Sequence, residues 1–168
     1  IIPDSIGSGG GIKAVGTDRN VITRVARKLK KKEQRYNLRY LQFAASPVVF
    51  AISANVQGVE NISAGQVPGV FSGRYAKWSD LGGPEDNIYI INREPGDSSR
   101  EVIAKVVPGF KDIIKPVGIT SFSTPEAVDL LNSHDNTIAY LPFSMTIGRR
   151  IKVLNYEGMS PADNGYPL

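Results

Sequence analysis

From Val48 onward the chain alternates short apolar, β-branched runs with segments that open on helix-capping residues, and this restricts it to an α/β sheet architecture. Val48 to Ala54 reads as a buried strand. Ser63 is placed to cap a short helix over Ala64 to Phe71, after which Gly73 and Gly82-Gly83-Pro84 break the chain. Ile88 to Asn92 reads as the next strand. Asp97 or Ser98 opens a helix that runs to about Val107, before Pro108-Gly109. Thr124-Pro125-Glu126 resembles a cap with proline in the first turn, giving a helix to about Asn132. Ile138 to Pro142 and Ile151 to Asn155 read as the last two strands. Strands separated by helices favour a mainly parallel sheet with its connections on both faces.

One junction in this series also carries chemistry. Ile91-Asn92-Arg93-Glu94-Pro95-Gly96-Asp97-Ser98-Ser99-Arg100-Glu101 puts a guanidinium and two hydroxyls around the first turn of a helix that follows a strand. Free amide N–H groups and the positive end of the helix dipole favour an oxyanion there. Ser98 and Ser99 add donors, and Arg93 can make a bidentate, charge-assisted contact. The same residues also make an ordinary turn plus N-cap. Asp97 has two readings. It either caps its own helix, or it faces a ligand as an acceptor that demands a proton, which monohydrogen phosphate carries and sulfate lacks.

A second segment has the same character. Gly7-Ser8-Gly9-Gly10-Gly11-Ile12-Lys13 reads as a side-chain-poor loop before a helical start, where backbone amides of Ser8 and Gly9 could approach a ligand closely. It lacks the Gly-Lys-Ser/Thr ending of a nucleotide phosphate loop and is not a dinucleotide fingerprint.

Other chemistries find little support. The chain has 168 residues, of which 41% are hydrophobic, enough for one sizeable core or two small ones. It has no cysteine, and its single histidine, His134, stands in the polar turn Asn132-Ser133-His134-Asp135-Asn136. No metal set, no cofactor fingerprint and no catalytic constellation emerges, so the chain reads as a non-enzyme. No apolar run is long enough to span a membrane. Ile1 is not an initiator methionine and no signal peptide precedes it, which fits a processed or trimmed product. The net charge of +4 is concentrated in Arg24, Arg27, Lys28, Lys30, Lys31, Lys32, Arg35 and Arg39. That run reads as a solvated basic face or a contact for an acidic partner, and without a recognition motif it does not argue for nucleic acid.

In order along the chain, Gly7 to Ala14, Pro47 to Ile52, Ile62 to Val67, Val70-Phe71-Ser72-Gly73, Trp78-Ser79-Asp80-Leu81-Gly82-Gly83, Arg93 to Arg100 and Thr137 to Tyr140 resemble the phosphate-binding, substrate-capturing components of bacterial ABC transporters. The resemblance implies a type II periplasmic binding-protein fold, with two lobes of mixed sheets joined by crossing strands near Val48 to Ile52 and Ile138 to Phe143. It implies a discontinuous lobe of residues 1–48 plus 144–168, an inserted lobe of 49–143, and a ligand in the cleft between them. Ala26-Arg27-Lys28-Leu29 matches a family strand ending, which places Arg24 or Arg27 near that cleft. The implied ligand set is Ser8, Gly9, Arg27, Arg93, Asp97, Ser98 and Ser99. The implied partners are inorganic phosphate or a similar oxyanion and a transporter permease, at a periplasmic or cell-surface location.

Two departures qualify the match. Family members are usually longer and begin with a strand and a hydroxyl-bearing loop that supply ligand donors, whereas Ile1 falls near the second strand. Asp97 also stands where a hydroxyl is common. The alternative is a truncated relative serving as an interaction or sensor module without high-affinity capture.

Overall fold

A computed structural model describes residues 7–19, 21–113 and 115–168. The expectation attached to Ile1 lies outside these residues. Strands β1 (Val48–Ser53), β3 (Tyr89–Arg93), β4 (Ile119–Ser121), β5 (Thr137–Pro142) and β6 (Ile151–Val153) form one sheet in the order β4-β3-β5-β1-β6. β2 (Asn61–Ile62) and β7 (Asn155–Tyr156) form a small parallel pair. The helices are α1 (Gly7–Gly16), α2 (Gln66–Phe71), α3 (Ser98–Val106) and α4 (Thr124–Ser133), with 3-10 turns between them.

The sheet is mixed rather than mainly parallel. β3 runs parallel to β4 and β5, but β1 is antiparallel to both β5 and β6. β1 and β5, the two strands expected to cross between lobes, are neighbours in this sheet, with Val48 opposite Pro142 and Ile52 opposite Ile138. Both are continuous apolar runs because both faces are covered. Phe50, Ile52, Ile90, Ile138 and Tyr140 face a core shared with α2 and α3, which includes Phe71, Trp78 and Phe110. Ala51, Ile91, Ala139 and Leu141 face the other way, onto Ala127, Val128 and Leu131 of α4. Period-two alternation along each strand thus feeds two separate cores.

Residues 144–168 contribute β6 and β7. Among the described residues their strands pair with β1 and β2, Leu154 N–H donates to the Phe50 carbonyl at 2.9 Å, and Tyr156 packs its ring 5.8 Å from that of Phe50. Burial of Leu154 and Tyr156 in the larger core holds this segment to the 49–143 body.

The first described segment is built differently. Gly7 to Gly11, expected as a loop, form the opening turns of α1. The glycines serve packing: a Cβ on Gly11 would stand 2.3 Å from Thr23 Oγ1, and one on Gly16 would stand 2.4 Å from the Tyr36 ring. Thr23 and Tyr36 therefore lie directly on the helix backbone. Neither of the two large cores contains a residue from this segment, and Val21, Ile22, Leu41 and Phe43 are exposed.

Candidate functional site

β3, β4 and β5 run parallel, and Arg93 is the last residue of β3. At the same end, Ser121 closes β4 and Thr124 opens α4. The carboxyl ends of parallel strands are where α/β folds hold ligands, because loops diverge there and helix N-termini point inward. A concavity of about 580 Å³, lined by Tyr89, Ile91, Ile119, Leu130 and His134, lies at the opposite, amino-terminal end of these strands.

Arg93 is held on several sides. Its side chain is only 4% exposed; Nη2 pairs with Asp97 Oδ2 at 2.9 Å and Nη1 donates to Thr124 Oγ1 at 3.0 Å. Its backbone N–H donates to the Tyr140 hydroxyl at 3.2 Å, and its carbonyl accepts from Arg100 Nη1 at 2.7 Å. Nε is buried with no partner among the described residues. A buried guanidinium N–H without an acceptor is costly, so an oxygen from a bound molecule would complete this group.

α3 begins beside it. Asp97 is the N-cap, and its Oδ1 accepts from Arg100 N–H at 3.0 Å. Both carboxylate oxygens of Asp97 are thus engaged within the chain, the arrangement that corresponds to the capping reading, with one lone pair on each still open. Ser98 and Ser99 are the first two residues of α3; their amides have no intrahelical acceptor, as at any helix start, and Ser99 is buried. The start of α3 thus carries positive helix-end potential and two serines, and its N-cap Asp97 ties it to the Arg93 guanidinium.

Ser8, Gly9 and Arg27 gather at the start of α1. Ser8 Oγ accepts from Ala26 N–H at 3.1 Å, which pins the incoming strap and leaves the hydroxyl proton free to donate. Arg27 Nη2 lies 3.8 Å from where a Cβ on Gly9 would stand. Arg27 also binds Glu33 through both terminal nitrogens, at 2.7 and 2.8 Å, and its Nε is a second buried donor without a partner among the described residues. Hydrogen bonding to Glu33 raises the Arg27 pKa against the opposing effect of burial, with further help from the charges of Glu33 and Glu101. Glu101 lies in the first turn of α3 and pairs with Lys30. Through Lys30 and Glu101 the α1 cluster is tied to the helix start that follows Arg93. Arg24 is exposed.

Sequence reasoning missed Thr124, Tyr140, Arg100 and Glu33. Thr124 reads as a cap, but Ser123 takes that role, accepting from Glu126 N–H at 3.2 Å, and frees Thr124 for Arg93. The lone acidic residue in a basic run was the available signal for Glu33. Tyr140 yields an expectation of its own. Its hydroxyl is the acceptor for a buried N–H, and burial raises its pKa, so it stays protonated. Tyr140→Phe is expected to cost about 1–2 kcal/mol in urea unfolding followed by circular dichroism, because the Arg93 amide loses its partner. A cost under about 0.3 kcal/mol would mean that water replaces the hydroxyl freely.

A model of the PBP superfamily domain matches residues 3–162, and the chain belongs to that superfamily. It is 27% identical over 117 residues to the phosphate-binding protein PstS of Bacillus subtilis (strain 168), an alignment covering 66% of this chain and 38% of that protein. In structure it is similar to a Clostridium perfringens chain assigned to phosphate ABC transport and solved with bound phosphate (TM-score 0.81, 22% identity, 93% of this chain, 63% of that one). It is also similar to PstS from Borrelia burgdorferi (TM-score 0.61, 22% identity, 94% of this chain, 66% of that one). The fold is that of type II periplasmic binding proteins. The chain spans 38% of the curated relative's length and less than two thirds of both structural ones. Among the described residues no helix is long and apolar enough to cross a membrane.

Proposed function

We propose that this chain captures an oxyanion, most specifically inorganic phosphate, without chemical conversion, and hands it to the permease of an ABC transporter on the outer side of the cytoplasmic membrane. The observation that carries this reading is the buried Arg93 guanidinium at the carboxyl ends of the parallel strands, its Nε–H unpaired among the described residues and its Nη2 paired with Asp97, the N-cap of the helix that Ser98 and Ser99 open. The sequence likeness to a phosphate-binding protein supports phosphate over other tetrahedral anions. In this reading Ser8, Gly9 and Arg27 supply donors from the α1 side, and the site lies between residues 7–46 and the sheet body. Asp97, with an open lone pair on each oxygen, accepts the proton of monohydrogen phosphate.

Competition calorimetry with phosphate, sulfate and molybdate tests this. Phosphate is expected to bind at micromolar concentration or tighter and at least about tenfold better than sulfate, a difference of about 1.4 kcal/mol. Equal affinities would remove the proton-reading role of Asp97. Folded protein that binds none of the three would instead favour an interaction or sensor module, for which the exposed Val21, Ile22, Leu41 and Phe43 offer a surface.

A further inference from the structure

The proposed site leaves unexplained why a carboxylate is buried in the most basic stretch of the chain. Glu33 is the only acidic residue between Arg19 and Arg39, yet it is 7% exposed, while Lys31, Lys32 and Arg35 around it face solvent. Both its oxygens are engaged: Oε1 accepts from Arg27 Nη2, and Oε2 accepts from Arg27 Nη1 and, at 2.7 Å, from Lys30 N–H.

A guanidinium has five N–H bonds arranged in two forks. Glu33 takes the end fork, formed by Nη1 and Nη2, and the remaining Nη1 proton goes to the Lys28 carbonyl at 3.1 Å. What is left is the side fork. It consists of the buried Nε–H, which has no partner among the described residues, and the second proton of Nη2, the nitrogen nearest the Gly9 position in the first turn of α1. One fork is thus anchored inside the chain and the other, unpaired among the described residues, lies at the first turn of α1.

We propose that Glu33 is a positioning residue of the oxyanion site: by gripping the end fork of Arg27 it presents the side fork, Nε and Nη2, to an anion at the start of α1. This rests on the oxyanion-capture reading. Glu33 has a second effect, since it cancels the charge of Arg27. Asp97 does the same for Arg93 and Glu101 for Lys30, so capture depends on hydrogen-bond geometry more than on net charge. Arg27 first of all, then Lys30, holds the Glu33 carboxyl at a pKa of about 2, so the grip persists throughout the range in which phosphate is captured.

A double-mutant cycle on the full chain, read by calorimetry with phosphate, decides the matter. Glu33→Gln is expected to weaken phosphate binding about tenfold and Arg27→Ala at least as much, while adding Glu33→Gln to Arg27→Ala changes affinity less than twofold, because Glu33 acts only through Arg27. Glu33→Gln also uncovers one positive charge, so its binding should depend more steeply on salt than that of the wild type. A purely structural glutamate would lose affinity equally in both backgrounds, with no change in salt slope, and that result overturns the proposal. So does unchanged affinity in Glu33→Gln. Should Glu33→Gln fail to fold, Glu33→Asp, which keeps the charge but shortens the reach, takes its place in the same cycle. Wild-type protein that binds no phosphate, sulfate or molybdate overturns the capture reading itself, an outcome distinct from all of these.

Discussion

Arg93→Ala is expected to abolish high-affinity phosphate binding, with a loss of at least about 100-fold, or about 2.7 kcal/mol. The guanidinium is the most deeply buried cation of the proposed site, and its Nε–H has no partner among the described residues. Truncation also strands the Asp97 carboxylate, whose side chain is only 10% exposed. Removing one member of a buried pair costs about 3 kcal/mol or more in stability, so binding must be measured well below the variant's melting temperature. Arg93→Lys separates the two effects. It keeps the charge beside Asp97 but lacks the planar fork, so it should restore much of the stability and little of the affinity. A loss of affinity below about threefold in Arg93→Ala, near 0.6 kcal/mol, would put the anion elsewhere and sink the proposed site.

The second large effect concerns the body that carries Arg93. Trp78→Ala is expected to cost about 3–5 kcal/mol in urea unfolding monitored by circular dichroism. Trp78 is fully buried, and its Cβ lies 3.2 Å from where a Cβ on Gly83 would stand. Its Nε1–H donates to the Asn136 carbonyl at 3.2 Å, at the start of β5. The Asn136 carbonyl keeps a second donor, the Tyr89 N–H at 2.9 Å, so the cost comes from the emptied volume rather than from a lost hydrogen bond. Trp78→Phe, which retains most of that volume, should therefore recover more than half of the loss. If Trp78→Phe is as damaging as Trp78→Ala, the indole N–H matters more than this geometry allows.

Much of the sheet body could be read from the residues because each strand or helix carries its own local signal. β1 and β5 are uninterrupted apolar runs, and α3 and α4 announce themselves by Asp97 and by Thr124-Pro125-Glu126. β4 could not be read. Ile119 and Thr120 are exposed and only Ser121 is buried, so the strand has no hydrophobic pattern of its own and exists by pairing with β3. Gly118, at φ +88° with the Ile90 carbonyl oxygen 2.1 Å from where its Cβ would be, permits that approach. The direction of β1 was equally silent, because a both-faces-covered strand has the same composition whether its neighbours are parallel or antiparallel. In α1 the glycines carried a loop signal, and packing against Thr23 and Tyr36 reversed it.

Taken alone, the sequence determined which residues to propose for an oxyanion, since an arginine, two serines and a cap at a strand-to-helix junction are recognisable at a separation of a few residues. Only the tertiary structure decided how those groups are spent. It gave Asp97 to Arg93 and the α3 cap, Thr124 to Arg93, and Glu33 to Arg27, each through contacts set by three-dimensional packing. Side-chain chemistry is local and survives in a string of letters, but the choice among competing hydrogen-bond partners depends on distances that exist only after the sheet has brought separate segments together.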